Sequence, residues 1–322
     1  MKVNYLLKSL LLILCAVFFE SCNDNDMEVF YCGAEGDGTN LTWSISDSVL
    51  TISGTGDMRD YTSVESPFQV YAEVIKRVVI NKGVTSIGDR AFYNCRSLAN
   101  ITIPDGVTSI GDYAFFLCIS LTHINIPDGI TSIGDYAFSY CSGFTIITIP
   151  DGVISIGDYA FTYCRNMNII SIPDGVTSMG KGVFSFCLNL TDINIPDGIT
   201  SIEYHAFHYC LGFTDINIPD GVTSIEHYAF FYCYNVTNIT IPGSVISIGS
   251  GAFQFCQHID TIEVYWDEPI MIESDVYYFS SISTATLIVP AGSKEAYEAA
   301  SVWNSFGSIV EREATANTEL IP

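Results

Sequence analysis

Positively charged residues are scarce in this chain of 322 residues, which has 12 Lys and Arg against 36 Asp and Glu and a net charge of −24. Nucleic-acid recognition depends on clustered cations that neutralise phosphates, and attraction to anionic membrane surfaces depends on basic segments. The sequence therefore predicts neither kind of partner. The acidic charge is expected to keep the molecule soluble, and a monomer is predicted.

Motifs that position catalytic groups are also missing. The sequence has no Gly-rich phosphate loop, no nucleophile elbow and no Cys-His pairing that would activate a nucleophile. Isolated Asp and Glu residues are plentiful, but they recur mechanically with the repeats described below. The sequence therefore predicts no enzymatic activity and no cofactor.

Long apolar runs are absent as well, and the longest candidate lies near the N-terminus. Leu10–Phe19 is apolar but too short to cross a bilayer, and two lysines precede it. Ser21 then precedes Cys22, an arrangement that resembles a bacterial lipoprotein signal, although Glu20 departs from the small residue usual at that place. The resemblance implies an outer-membrane lipoprotein at the cell surface, held to the membrane only by lipid on Cys22. Secretion with a different cleavage site is the alternative.

One repeated unit, by contrast, is abundant. Cysteine recurs every 23 residues across eight copies without an insertion, at Cys95, Cys118, Cys141, Cys164, Cys187, Cys210, Cys233 and Cys256. A unit of 23 residues is too short to bury a core alone, so the copies must stack on one another. The period therefore predicts a repeat solenoid in which each position of the unit becomes a column.

One clean copy, Leu98–Ser120, indicates what each unit contributes. Ile101 and Ile103 alternate with polar neighbours, which is strand periodicity, and a Pro-Asp-Gly turn then ends the strand. Val107–Ile110 is β-branched and predicts a second short extended segment. The Ala-Phe-x-x-Cys run that follows has helical spacing, so one or two helical turns are expected there.

The ends of the array are irregular and are predicted to cap its open core. Leu41–Ser46 and Val49–Ser53 predict a hairpin in an N-terminal cap, and Ser293–Ala300 predicts a helix in a C-terminal cap. The chain divides into a signal peptide (1–21), a tether (22–32), the N-terminal cap (33–72), eight repeats (73–263) and an irregular last repeat with the C-terminal cap (264–322).

The unit A-F-x-x-C-x-x-L-x-x-I-x-I-P-x-x-V-x-x-I-G resembles the leucine-rich repeat of the BspA-like bacterial surface proteins. The resemblance covers about residues 33–312 and includes G-D-G-T-N-L-T-W from Gly36 and V-P-A-G-S-K-E-A-Y from Val289. It implies a right-handed, mostly β leucine-rich-repeat solenoid with short helical turns and a cap at each end. It further implies surface display and non-enzymatic binding to host or matrix proteins or to other cells. The identity of the ligand does not carry over.

Three columns are candidate sites. Outward strand positions vary along the array while the core columns stay fixed, and they form the candidate binding face: Asn100, His123, Ile146, Ile169, Asp192, Asp215 and Asn238. The two isoleucines in the middle favour a protein contact, and unconstrained drift at surface positions is the alternative.

The second column is aromatic and follows the core Phe by two residues: Tyr140, Tyr163, Phe186, Tyr209 and Tyr232. Packing over the turn explains it, and a stacking platform for a glycan or a protein is the functional alternative. A carbohydrate-binding surface protein is therefore the second functional hypothesis.

The third column is acidic and lies between the Pro and Gly of each turn: Asp105, Asp128, Asp151, Asp174, Asp197 and Asp220. Turn chemistry accounts for Asp there, and bridging Ca²⁺ ions are the alternative. A metal site at His205, His208 and His227 is a further hypothesis. The cysteines are expected to be free core thiols, because the parallel Cβ vectors of stacked copies suit a disulfide poorly.

Overall fold

The computed structural model describes residues 30–36, 38–62, 66–278 and 280–313. The signal peptide, Cys22 and most of the tether lie outside the described residues. The described chain is a mostly β solenoid of about 10 turns with almost no helix, which confirms the predicted fold class. No helix in these described ranges is long and apolar enough to cross a membrane.

Each repeat supplies two short strands, which stack in parallel on two sides of the solenoid. The strands are β1 (Phe30–Tyr31), β2 (Leu41–Ser46), β3 (Val49–Gly54), β4 (Gly56–Asp57), β5 (Arg77–Ile80), β6 (Val84–Ile87), β7 (Asn100–Thr102), β8 (Ser109–Ile110), β9 (His123–Ile124), β10 (Ser132–Ile133), β11 (Ile146–Thr148), β12 (Ser155–Ile156), β13 (Ile169–Ser171), β14 (Ser178–Met179), β15 (Asp192–Ile193), β16 (Ser201–Ile202), β17 (Asp215–Asn217), β18 (Ser224–Ile225), β19 (Asn238–Ile241), β20 (Ser247–Ile248), β21 (Thr261–Val264), β22 (Thr286–Val289) and β23 (Ser308–Glu311).

The first side, here called the strand face, consists of three sheets in succession. Their strand orders are β1-β2-β3-β5-β7-β9, β11-β13-β15 and β17-β19-β21-β22-β23. The second side consists of two sheets, β4-β6-β8-β10-β12-β14 and β16-β18-β20. Equivalent residues pair in register along both sides, as Ser109 does with Ser132 and Ile147 with Ile170. The 23-residue period thus becomes a set of columns.

The third side is formed by the Ala-Phe-x-x-Cys run, and here the expected helical turns do not form. The N–H groups of Phe116 and Cys118 donate to carbonyls three residues earlier, but those of Phe115 and Leu117 donate to carbonyls of the next repeat. Tyr113 and Leu117 have left-handed φ angles of 55° and 61°, which a right-handed helix does not contain. Hydrogen bonding between repeats therefore replaces helical hydrogen bonding on this side.

The cap elements predicted from the sequence are present. β2 and β3 form an antiparallel hairpin, and Asp47 and Ser48 between them have φ angles of 49° and 66°, as a two-residue hairpin turn favours. At the other end, helix α1 spans Lys294–Ala299. Two 3₁₀ helices, Gln69–Tyr71 and Trp303–Ser305, lie beside the two ends of the array.

The core is a stack of identical side chains. The buried Phe rings from Phe92 to Phe253 stack on one another with centroids 5.1–5.8 Å apart. From Cys118 to Cys256, each cysteine donates its S–H to the backbone carbonyl of the core Phe in the preceding repeat, at 3.1–3.4 Å.

All the described cysteines are free and buried, which confirms the prediction of core thiols. Burial raises the pKa of Cys95 and Cys256 to about 12. The thiols therefore stay protonated at neutral pH and remain hydrogen-bond donors, whereas nucleophilic chemistry and metal ligation both need the thiolate.

Candidate functional site

The variable column occupies the first position of seven strands of the strand face. Side chains are exposed at Asn100, His123, Ile146, Ile169, Asp215 and Asn238, and Asp192 holds the same backbone position through its pairing with Ile169. Ile146 is 61 % and Ile169 44 % exposed, and the two are direct register partners on β11 and β13. An apolar pair therefore lies in the middle of an otherwise polar column.

Two breaks divide the strand face into three panels. In the described chain β9 does not pair with β11, and β15 does not pair with β17. Each break coincides with a Gly-Phe dipeptide, Gly143-Phe144 at the first and Gly212-Phe213 at the second, three repeats apart.

The two residues of each Gly-Phe dipeptide differ in side-chain size from the residues at the same two positions in the other repeats. The Phe144 and Phe213 rings meet the core Phe column edge-on at 5.9 and 5.7 Å, where other repeats insert smaller side chains. A Cβ on either glycine would lie 2.6 Å from a carbonyl oxygen of the previous repeat. A close backbone approach at the glycine and a larger ring beside it therefore both mark the junctions at which the ladder is interrupted.

A cleft of about 300 Å³ lies at the first break. It is lined by His123 and Asn125 from one repeat and by Ile146 and Thr148 from the next, and Asp128 also lines it. The structure thus brings together two members of the predicted binding face and one member of the acidic turn column, which the sequence treats as separate sites.

A shallow groove of about 700 Å³ lies at the second break. Leu188, Leu211 and Ile169 supply its apolar part, and its polar lining comes from Asn168, Asn189, Thr191 and Asn235. Sequence reasoning missed the two leucines, which belong to none of the three candidate columns. Their signal is compositional: most other repeats place Arg, Ser, Tyr or Gln directly after the cysteine.

Asp215 is fixed on the face by its neighbours. Its carboxylate accepts hydrogen bonds from the Thr214 hydroxyl at 2.7 Å and from the Asn238 amide at 2.8 Å. These two bonds lower the pKa of Asp215, because they stabilise the ionised form. The carboxylate is therefore a permanent negative charge beside the second break.

The acidic turn column is exposed at all six positions. Among the residues that the structure describes, no three His, Cys, Asp or Glu side chains come close enough together to hold a metal ion. The geometry therefore gives no support to calcium bridges along the turns or to a metal at the histidines. His205 and His208 instead stack at 4.3 Å, and burial lowers the pKa of His208 to about 4.

The predicted aromatic platform is a continuous stack. The rings from Tyr140 to Tyr232 follow one another at centroid distances of 4.3, 4.4, 4.9 and 4.4 Å. Each of these residues has a left-handed φ between 59° and 62°, a conformation that costs an L-residue about 1 kcal/mol or more. The neighbouring rings cover one another's faces, so a ligand would meet ring edges and hydroxyl groups.

A second acidic column was not anticipated from the sequence. Asp89, Asp112, Asp135 and Asp158 each accept a hydrogen bond from the backbone N–H of the equivalent residue in the next repeat, at 2.7–2.8 Å. Burial raises the pKa of Asp89 and Asp135. In the sequence, this second acidic column is marked by the recurring Gly-Asp dipeptide. The column satisfies backbone donors and has a structural role.

Comparison with known proteins identifies a family and a fold. The family model described as BspA type leucine rich repeat region matches residues 67–191 and 177–300, in six copies. A leucine-rich repeat protein from Bacteroides ovatus is 24 % identical with a TM-score of 0.61, over 90 % of this chain and 77 % of that one. A leucine-rich repeat protein from Eubacterium ventriosum is 25 % identical with a TM-score of 0.52, over 79 % and 77 %. No curated protein matches the sequence.

Proposed function

The chain belongs to the BspA-type leucine-rich repeat family, and from this premise we propose that it is a non-enzymatic cell-surface protein that binds another protein through its strand face. The observation that carries the proposal is the exposed pair Ile146 and Ile169 in a column of the strand face that varies along the array. Stacking fixes the core columns but places no constraint on these outward positions. Isoleucine there leaves apolar surface in water, which a partner would cover.

Glycan binding through the aromatic column is the weaker hypothesis. Carbohydrate rings pack against the faces of aromatic side chains, and here the faces from Tyr140 to Tyr232 are covered by their neighbours at 4.3–4.9 Å. The strain of the left-handed residues is offset by this stacking, since an aromatic pair contributes about 0.5–1.5 kcal/mol. Structural packing is therefore sufficient to explain the column.

Surface attachment through a lipid on Cys22 completes the proposal. The support for it is the lipoprotein-like signal in the sequence, since this segment lies outside the described residues. Mass spectrometry of the mature N-terminus tests it directly. A diacylglyceryl cysteine is expected, and a mature chain that begins at another residue would contradict it and favour secretion.

Two double variants test the role of the strand face. The face variant, Ile146→Asn with Ile169→Asn, introduces the residue that the array already has at Asn100 and Asn238. The control variant, Ile154→Thr with Ile246→Thr, removes similarly exposed isoleucines, 55 % and 74 % exposed, from the second side of the solenoid. Thr occupies that position in the other repeats, so both variants are expected to fold.

The measurement is binding of the soluble chain, without residues 1–21, to immobilised extracellular-matrix proteins, to host cells and to a glycan array. Each buried isoleucine is expected to contribute about 1–2 kcal/mol, so the face variant should weaken protein binding at least tenfold while the control variant retains it. Equal binding by both variants would contradict the proposal. Glycan binding that is lost on Tyr163→Ala and Tyr209→Ala would favour the carbohydrate hypothesis instead.

A further inference from the structure

The central panel of the strand face, β11-β13-β15, has a depression on each side. Ile146 lines the cleft at the first break, and Ile169 lines the groove at the second break. Because the two isoleucines are register partners on adjacent strands, they join the depressions into one apolar strip. Leu188 and Leu211 extend the strip within the groove. Neighbouring strands lie about 4.8 Å apart, so the side chains of a single bound segment can reach both depressions.

The surroundings of this strip carry charge of one sign. Between Ser97 and Ser293 the only Lys or Arg residues are Arg165 and Lys181. The guanidinium of Arg165 lies over the Tyr163 ring on the third side of the solenoid. Strands β7 to β19 of the strand face contain no Lys or Arg.

Carboxylates lie at both breaks of the strand face. Asp128 lines the cleft, and Asp215 lies on the strand that follows the second break, held by Thr214 and Asn238. Asp151 and Asp174 are exposed in the turns that follow β11 and β13. A partner that fits this surface needs apolar side chains for the two depressions and cations for their rims.

We propose that the central panel binds a basic, apolar segment of a partner protein, with Leu- or Phe-like side chains in the cleft and the groove and Lys or Arg beside Asp128 and Asp215. This inference rests on the proposed function and adds the chemistry of the partner to it. The apolar strip would set the dissociation rate, and the carboxylate rim would set the association rate and its dependence on salt.

The test uses two synthetic peptides of equal length, one alternating Leu and Lys and the other alternating Leu and Glu. Binding to the soluble chain is measured by calorimetry at low and high salt. The Leu-Lys peptide is expected to bind at least tenfold more tightly than the Leu-Glu peptide. The face variant should weaken Leu-Lys binding at least tenfold, and the control variant should leave it unchanged.

The charge at the rim is tested by Asp128→Asn with Asp215→Asn, since Asn at the latter position copies Asn238. This variant should weaken Leu-Lys binding and flatten its salt dependence. Leu-Lys binding that is equal in the wild type and the face variant would reflect diffuse attraction to the net charge of −24 and would overturn the inference. Thermal melts verify that each variant is folded.

The remaining outcomes separate the inference from the proposed function. If matrix or host proteins bind at the strand face but the Leu-Lys peptide does not, the inference fails and the proposed function stands. If no protein binding depends on the strand face, the proposed function fails. Sedimentation velocity that reveals self-association abolished in the face variant would assign the panel to a second copy of the chain and would also overturn the inference.

Discussion

Gly134 provides the sharpest test of how the repeats pack. A Cβ at this position would lie 2.6 Å from the carbonyl carbon of Gly111 and 2.7 Å from the backbone nitrogen of Asp112. These are backbone atoms of the previous repeat, so no side-chain rotation relieves the contact. Gly134→Ala should therefore push two repeats apart between β8 and β10.

The cost follows from the hydrogen bonds that cross this junction. The Gly134 N–H donates to the Ile110 carbonyl at 2.9 Å, and the Asp135 N–H donates to the Asp112 carboxylate at 2.8 Å. A neutral bond contributes about 1 kcal/mol and one to a charged group about 1.5–3 kcal/mol. Gly134→Ala is therefore expected to destabilise the protein by about 2–4 kcal/mol.

The array itself contains a natural version of this substitution. Glu203 occupies the equivalent position after Gly180, and at that junction β14 and β16 do not pair. A side chain stacked on a glycine of the previous repeat thus coincides with an interrupted second side, as expected of Gly134→Ala, whereas Glu226, which follows Glu203 rather than a glycine, accompanies an intact pairing of β16 with β18.

Gly106→Ala is the matched control. A Cβ there meets only the Val84 carbonyl oxygen, at 3.7 Å, and neither glycine has a left-handed φ. Gly106→Ala should be neutral or stabilising by about 0.4–1 kcal/mol, because alanine restricts the unfolded chain. Urea unfolding followed by tryptophan fluorescence gives both midpoints. Equal midpoints for the two variants would refute the argument that repeats pack too closely at Gly134 for a Cβ.

Two further perturbations concern the core and the histidine pair. Cys164→Ala removes the S–H donor to the Phe138 carbonyl at 3.2 Å and should lower the free energy of unfolding in urea by about 1–2 kcal/mol. Cys164→Ser keeps a donor and should lower it less. The reverse order would argue against a contribution from the thiol hydrogen bond. Burial lowers the pKa of His208 from 6.5 to about 4, so its contribution to stability is present above pH 6.5 and is lost as the pH falls towards 4. His208→Phe, which copies Phe231, should reduce that loss in melting temperatures measured from pH 7 to 4, and parallel curves would contradict the assignment. The raised pKa values of Asp89 and Asp135 act in the opposite direction and are shared by both proteins, so they cancel in this comparison.

The sequence predicts the regular part of this molecule well, because a fixed period converts each position into a column. The alternation around Ile101 and the turn after it correspond to β7 and its end, and the two-residue linker of the hairpin is read directly from Asp47 and Ser48. The expected helical turns were wrong, because spacing within one unit cannot reveal that the Phe115 N–H bonds to the next repeat.

The cleft and the groove could not be predicted from the columns. They lie where the array departs from its own pattern, at Gly143-Phe144 and Gly212-Phe213. Only the strand pairing shows that these dipeptides coincide with breaks in the strand face. The position of Asp128 in the cleft could not be predicted from the columns either. Its turn places it in the cleft beside His123, although the two residues belong to different columns of the sequence.

Each interruption of one side is bridged by the other side. At the first break of the strand face, β10 still pairs with β12 on the second side, and at the second break β16 still pairs with β18. Where the second side is interrupted before Glu203, β13 pairs with β15 on the strand face. Staggered breaks of this kind let the strand face vary locally while every junction between the repeats that the structure describes keeps at least one ladder.

This arrangement predicts that the stability lost on a glycine substitution depends more on which junction it lies at than on the atoms that the new Cβ would meet. A Cβ on Gly157 would lie 2.5 Å from the Asp135 carboxylate and 2.8 Å from the Gly134 carbonyl carbon, contacts much like those at Gly134. Gly157→Ala, however, would open the β10–β12 pairing opposite the first break, where the strand face has no ladder. Because neighbouring repeats hold a solenoid together through their interfaces, Gly157→Ala should cost at least about 1 kcal/mol more than Gly134→Ala, the net value of one bridging hydrogen bond. Unfolding in urea should also separate into two transitions in Gly157→Ala and remain a single transition in Gly134→Ala. Identical midpoints and a single transition in both would contradict the view that the second side bridges the break.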